Sequence, residues 1–226
     1  MNGAHRILVV DDEPLVREAY RSFFSRQQEF TVCGEARNGA EGVEAYADLQ
    51  PDIVLMDLQM PGVTGMDATR QICARWPEAC VVVMTTFGTG AFVVAALRAG
   101  ASGYLLKDVG GAGLLAGLRQ ALAGDMPLSA SVRRELVSSV VDDRAADGPD
   151  APVVALTARE LEVLGWLAQG LGNQEIGARM HVSEGAVKQY LVSTGRKLGV
   201  RSRTGILVRA IQLDLVDPRA LPPVQD

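Results

Sequence analysis

The sequence predicts two folded units: an α/β, flavodoxin-like, doubly wound domain of five parallel strands, then a small all-α domain of helix-turn-helix plan. Three observations carry the prediction. Five apolar runs, at residues 7–10, 31–36, 53–56, 81–84 and 103–106, alternate with helical patterns through the first half, as in a doubly wound parallel sheet. Four of these runs end on polar, chemically capable residues: Asp11-Asp12, Asp57, Thr85-Thr86 and Lys107. From residue 153 onward the patterns are helical only, and capping residues introduce them.

In chain order, the run at 7–10 stops at Asp11-Asp12-Glu13, and Pro14 suits the first turn of a helix in which Leu15, Val16, Ala19, Phe23 and Phe24 recur at helical spacing. Weaker helical patterns fill residues 40–49, 65–76 and 91–99, and Leu114, Leu115, Leu118, Ala121 and Leu122 close the series. Residues 53–56 are apolar without a break, as in a strand buried on both faces of a sheet. The run ends at Asp57, and Pro61-Gly62 turns the chain away. Taken alone, Asp57 fits a turn-capping role as well as a chemical one.

Open α/β sheets bind ligands at the carboxyl ends of their strands, where the winding reverses; in a 2-1-3-4-5 order that point lies between strands one and three. Asp11, Asp12 and Asp57 would then share one crevice. Their repulsion needs compensation. A hard divalent cation such as Mg²⁺, with oxygen ligands, supplies it, and Lys107 adds a further positive charge. Lys107 is the only lysine in the first 152 residues, where every other basic residue is arginine. A compact ammonium meets a phosphoryl oxygen as a point charge, which an arginine fork does not reproduce.

This set suits phosphoryl transfer. Asp57 can attack a phosphoryl group to form an acyl phosphate, Mg²⁺ and Lys107 can neutralise the charge in transfer, and the Thr85 hydroxyl can contact the group. No GxxxxGK[ST] or GxGxxG follows the first strand, which argues against a nucleotide donor. Aspartyl-nucleophile phosphatases place a second acid two residues after the nucleophile. Gln59 stands there in this chain, and an amide cannot act as a general acid.

As a set, Asp11-Asp12, Asp57, Met60-Pro61-Gly62, Thr85 and Gly103-Tyr104-Leu105-Leu106-Lys107 resemble the receiver domain of bacterial two-component response regulators. The resemblance implies a sensor histidine kinase as phosphoryl donor to Asp57. It implies Mg²⁺ bound by Asp12 and Asp57, with Asp11 acting mainly through water and the Gln59 backbone carbonyl as a further ligand. It implies a switch made of Thr85 and Tyr104. Gly88-Thr89-Gly90 departs from the acidic residues common in relatives, and two glycines there are expected to loosen the segment before the fourth helix.

Residues 125–152 read as a connection, with a short helix expected over 132–141 and an acidic, Pro/Gly-punctuated mobile linker over 142–150. The receiver is thus expected over residues 1–124 and the second domain over 153–226. In the latter, Thr157-Ala158-Arg159-Glu160 has capping-box spacing, Leu161, Leu164, Leu167 and Ala168 follow, and Gly170 can end the helix. Asn173 is expected to cap the next helix, 174–180, and Ser183 the third. There Val187, Leu191, Thr194 and Leu198 form one stripe, with Lys188, Gln189, Arg196 and Lys197 largely outside it. A helix-turn-helix places its second helix in the major groove; a charged face on a small bundle is the plainer reading of the same pattern.

Leu156-Thr157-Ala158-Arg159-Glu160, Gln169-Gly170, Ser183-Glu184-Gly185 and Leu198-Gly199-Val200 resemble the LuxR-type DNA-binding domain, and its pairing with a receiver is the NarL/FixJ arrangement. The resemblance implies that Lys188 and its neighbour Gln189 face promoter DNA, and that Arg196, Lys197 and Arg203 touch phosphates. Ala186 and Tyr190 replace the Thr and His common in relatives, and Thr194-Gly195 replaces a usually apolar pair. Gly195 inside the recognition helix is expected to cost about 1 kcal/mol relative to Ala. Ser202 can cap a last helix crowded with Ile206, Leu207, Val208, Ala210, Ile211, Leu213 and Leu215; one stripe suffices for a small core, so the surplus points to a self-association surface. Relatives dimerise through this helix.

The totals agree with two jobs. Residues 1–152 hold 13 basic and 20 acidic residues, a net charge of −7, and residues 153–226 hold 9 and 7, a net charge of +2. Six basic and no acidic residues lie between Gly185 and Arg209. Three scattered cysteines and no CxxC pair fit a reducing, cytoplasmic setting. Two distant histidines exclude a His-rich metal site. No apolar segment is long enough to span a bilayer, and the amino terminus does not read as a signal peptide. The expectation is a phosphorylation-controlled transcription factor, not an enzyme, with a kinase, promoter DNA and a second copy of itself as partners. A receiver that never carries phosphate and an aspartyl phosphatase are the competing classes.

Overall fold

A computed structural model of the chain describes residues 3–86, 95–125, 154–200, 203–213 and 215–216. Its first unit runs β1 (His5–Val10), α1 (Pro14–Phe24), β2 (Phe30–Ala36), α2 (Gly39–Leu49), β3 (Ile53–Asp57), α3 (Gly65–Arg75), β4 (Val81–Thr85), β5 (Gly103–Leu106) and α4 (Gly110–Leu122). A further helical turn covers residues 95–98. The strands form one sheet in the order β2-β1-β3-β4-β5, and every pairing is parallel.

Strand side chains alternate between faces, and here both faces are covered. Ile7 and Val9 of β1, with Ile53 and Leu55 of β3, pack on Phe24 and Leu118. Leu8 and Val10, with Val54 and Met56, pack on Val43 and Ile72 from the opposite side. All eight strand side chains are essentially inaccessible. At about 1.5–3 kcal/mol for each fully buried aliphatic side chain, these runs are the main force that fixes the register. In β1 and β3 the polar residues therefore lie only at the strand ends, where the chain enters or leaves the core. Asp57 pairs opposite Met84 at the last position of β3.

The turn after β3 is set by two glycines. Gly62 lies at φ +77°, in the left-handed region open to glycine. Gly65 begins α3 so close to β3 that a Cβ there would lie 1.7 Å from the Asp57 carbonyl oxygen. Its N–H donates to the Leu58 carbonyl (3.2 Å), which ties the helix start to the strand end.

The second unit holds α5 (Ala158–Ala168), α6 (Asn173–Met180), α7 (Glu184–Leu198) and α8 (Arg203–Gln212). The expected capping box is present: the Thr157 side chain accepts from the Glu160 N–H, and the Thr157 N–H donates to Glu160 Oε2 (2.7 Å). Ser183 caps α7 as expected. The second helix corrects the sequence reading. Gly172, not Asn173, is its N-cap, and Asn173 is its first helical residue. The Asn173 side chain has other partners, described below. His181, at φ 55°, ends α6 in the left-handed conformation and makes the tight connection to α7.

Val187, Leu191, Thr194 and Leu198 are all buried, so the expected stripe of α7 is its core face. Ile206, Leu207, Val208, Ala210 and Ile211 of α8 are each at most 2% exposed. In this arrangement those side chains are core, and they form no exposed surplus of the kind expected from sequence. Residues 132–141, the linker at 142–150, Gly88-Thr89-Gly90 and the Ser202 cap lie outside the described residues.

Candidate functional site

The ends of β1, β3, β4 and β5 meet at one edge of the sheet. Parallel pairing puts their carboxyl ends side by side, and the 2-1-3 order leaves the crevice between β1 and β3. Asp11 and Asp57 are 2% and 7% exposed, and each of Asp11, Asp12 and Asp57 places one carboxylate oxygen within 4.8 Å of the others. The sequence thus anticipated the three-carboxylate cluster.

Lys107 reaches into it from the end of β5. Its Nζ donates to Asp11 Oδ2 (2.8 Å) and lies 3.3 Å from Asp57 Oδ2. Burial works against the ammonium's charge, but Asp11 and Asp57 outweigh it and hold Lys107 above the ordinary lysine range. Burial also dominates at Asp57 and, with Asp11 beside it, lifts its carboxyl above the usual range, though Lys107 and the Gln59 N–H oppose the shift. One lysine against three close carboxylates leaves an excess of negative charge. An all-oxygen donor set with that excess is consistent with a metal site.

Thr85 ends β4 and is 3% exposed. Tyr104 of β5 is fully buried and hydrogen-bonded to Thr85, so the two expected switch residues form one unit beneath the crevice. Two residues here were not anticipated. Arg17 Nη1 donates to the Asp11 carbonyl (2.7 Å), with Glu35 3.5 Å from its Nε, and so holds the Asp11-Asp12 turn in place. Burial pushes the Tyr20 hydroxyl up to about 12, and it feels the charges of Lys107, Asp11 and Asp57. Both lie on α1; its helical period shows which residues face the sheet, but not that this face adjoins the carboxylates.

The candidate DNA contacts divide into two groups. Lys188, Gln189 and Arg196 are exposed on α7, with Lys188 paired to Glu184 one turn away (2.8 Å). Lys197 and Arg203 are engaged within the chain. Lys197 Nζ donates to Glu160 Oε2 (2.7 Å), and Ser193 Oγ donates to Glu160 Oε1 (2.7 Å). Glu160, read from sequence only as a capping residue, therefore also pins α7 to α5. Arg203 donates to Asn173 Oδ1 and to the Leu171 carbonyl.

Residues 7–119 match the response regulator receiver domain, and residues 154–210 match the bacterial regulatory proteins of the luxR family. The nitrate/nitrite response regulator protein NarL of Escherichia coli (strain K12) is 38% identical over 87% of this chain and 90% of its own length. The transcriptional regulatory protein LiaR of Bacillus subtilis (strain 168) is 35% identical over 94% of this chain and 99% of its own. Among solved structures, the response regulator ChrA of a heme-sensing two-component system is similar with a TM-score of 0.52 and 36% identity, covering 95% of this chain and 100% of that one.

Proposed function

The chain belongs to the two-component response regulators that join a receiver to a LuxR-type DNA-binding domain, and from that membership and the site geometry we propose that Asp57 is its phosphoacceptor. The family is one of transcriptional regulators, not enzymes. The observation that carries the assignment is the convergence of Asp11, Asp12 and Lys107 on Asp57 at the sheet's switch point.

In this reading residues 1–124 are the receiver, 125–152 the connection and 153–226 the DNA-binding domain. A carboxylate oxygen of Asp57 attacks the phosphorus of a phosphohistidine on a sensor histidine kinase. The P–O bond forms as the P–N bond breaks, and the imidazole leaves. Asp11, Asp12, Asp57 and the Gln59 carbonyl would hold Mg²⁺, which would supply positive charge against the phosphoryl oxygens. Lys107 gives those oxygens a point contact, and Thr85 turns its hydroxyl toward them, carrying Tyr104 with it. The reaction belongs in the cytoplasm; no described helix is long and apolar enough to cross a membrane.

DNA is met by Lys188, Gln189 and Arg196 of α7, with Lys197 and Arg203 adding phosphate contacts. At rest the receiver stands over that face across a groove, which leaves its side chains open to water but not to a duplex. The groove, of about 680 Å³, has Arg70 and Cys73 of α3 on one side and Lys188 and Val192 of α7 on the other, far too small for a duplex. Phosphorylation shifts the population toward an open form. Two copies then pair. The test is mass measurement after incubation with Mg²⁺ and phosphoramidate. One phosphoryl group is expected on the native chain and none on Asp57→Asn; equal labelling of both refutes the assignment.

A further inference from the structure

The end of α4 and the start of α6 meet in a polar joint between the two units. Gly124 closes α4, and the Asp125 N–H donates to the Gln120 carbonyl (2.8 Å), so Asp125 moves with the receiver's last helix. Its carboxylate accepts from the Asn173 N–H (3.1 Å) at the amino terminus of α6, where the helix dipole favours negative charge. Asn173 Nδ2 donates to the Ala123 carbonyl (3.4 Å), while Asn173 Oδ1 accepts from Arg203. Asn173 is only 3% exposed, and both ends of its amide are used, one toward each unit.

The backbone leaves room for this joint on both sides. A Cβ on Gly172 would lie 2.9 Å from Asp125 Oδ1, and one on Gly124 would lie 3.2 Å from Asn173 Nδ2. Buried apolar side chains continue the contact: Leu97, Ala101 and Tyr104 of the receiver belong to the same cluster as Leu164, Leu191 and Ile206. Burial works against the Arg203 charge, and Asp125 is the acid that counters it.

We propose that Asp125, Asn173 and Arg203 form a latch that holds the DNA-binding domain against the receiver and keeps Arg203 from DNA until the domains part. The proposal rests on the reading that the receiver stands over α7 at rest. Arg203 is bonded to Asn173 and Leu171 of its own domain, and the receiver acts on it through the Asn173 amide, which the Ala123 carbonyl holds in that orientation; when the domains part, the amide is free to turn and Arg203 is free to reach a DNA phosphate. Because charged hydrogen bonds are among the stronger ones, losing Asp125 shifts the balance by a measurable factor.

The test uses the full chain and a random-sequence duplex at low salt, where binding through phosphates does not depend on sequence. Affinity is measured with and without Mg²⁺ and phosphoramidate, for the native chain and for Asp125→Ala, with circular dichroism to confirm folding. Asp125→Ala is expected to tighten resting binding about tenfold and to leave phosphorylated binding unchanged. Asn173→Asp, which sets two carboxylates against each other, is expected to give the same pattern. Unchanged resting affinity in both variants overturns the latch. Equal tightening in both states overturns it too, since Asp125 would then only repel DNA. If phosphorylation leaves native binding unchanged, the obstruction itself is wrong, and the latch falls with it.

Discussion

Gly195 and Gly165 both sit inside helices of the DNA-binding domain, and the structure predicts opposite outcomes when each becomes alanine. Propensity alone favours alanine by about 1 kcal/mol at both positions. A Cβ on Gly165 meets nothing within 4 Å, so Gly165→Ala should realise that gain. A Cβ on Gly195 would lie 2.7 Å from the Val200 carbonyl oxygen and 3.2 Å from Ile206 Cδ1. The Ile206 tip can turn aside, but the Val200 carbonyl cannot: its residue's N–H donates back to the Gly195 carbonyl (2.8 Å), and Gly199 holds the turn at φ +71°. Overpacking of this kind costs about 1–3 kcal/mol, so the net effect of Gly195→Ala is a loss of about 1 kcal/mol. For a domain of this size, that lowers the melting temperature by about 4–8 °C. Urea denaturation of the full chain, followed by the fluorescence of Trp166 in α5 against that of Trp76 in the receiver, reads the two domains. Stabilisation by Gly195→Ala as large as by Gly165→Ala would refute the steric account.

Three further outcomes follow from the same geometry. The Thr194 hydroxyl is fully buried without a hydrogen-bond partner among the described residues, so Thr194→Val, of nearly the same shape, should stabilise the domain by about 1–2 kcal/mol; a loss in the same denaturation assay would contradict this. Although burial alone would raise it, the Glu160 carboxyl is drawn down to about 2 by Lys197, the Thr157 N–H and Ser193. A carboxyl lowered in the folded state stabilises fully above its ordinary value of 4.5 and loses that contribution as pH falls toward 2. The stability gap between native chain and Glu160→Gln should therefore be constant near neutrality and close between about pH 5 and 2; a gap independent of pH over that window would remove the ion pair from the account. Lys107→Arg keeps the charge but replaces a point contact with a planar fork, so phosphoryl incorporation should survive in part while the rise in DNA affinity is lost. Full coupling in that variant would take Lys107 out of the switch.

Much of this was legible in sequence because a strand buried on both faces is written as an unbroken apolar run. The run at 53–56 leaves little freedom about where Asp57 emerges, and the 2-1-3-4-5 order then brings Asp11, Asp12 and Lys107 to it. What stayed hidden depends on partners distant in the chain. Asn173 is a good capping residue by type, but its amide is taken up by Ala123 and Arg203, leaving the cap to Gly172. Gly195 looks like a weak point in a helix until the Val200 carbonyl is placed against it. The apolar excess of α8 reads as an exposed surface, yet its side chains are buried in the folded chain. Arg17 gives no signal at all, since nothing in a one-dimensional pattern aims its guanidinium at the Asp11 carbonyl.

The central claim is that a phosphoryl group on Asp57 controls access of α7 to DNA. Its most direct test is a titration of full-length chain against a duplex that the phosphorylated protein selects from a random pool, at several salt concentrations. The native chain should bind weakly at rest and tightly with Mg²⁺ and phosphoramidate, with binding that weakens steeply as salt rises because Lys188, Arg196, Lys197 and Arg203 displace counterions. Asp57→Asn should stay at the weak level whether or not the donor is present. Tight binding by the resting native chain, or equal enhancement of Asp57→Asn by the donor, would contradict the claim.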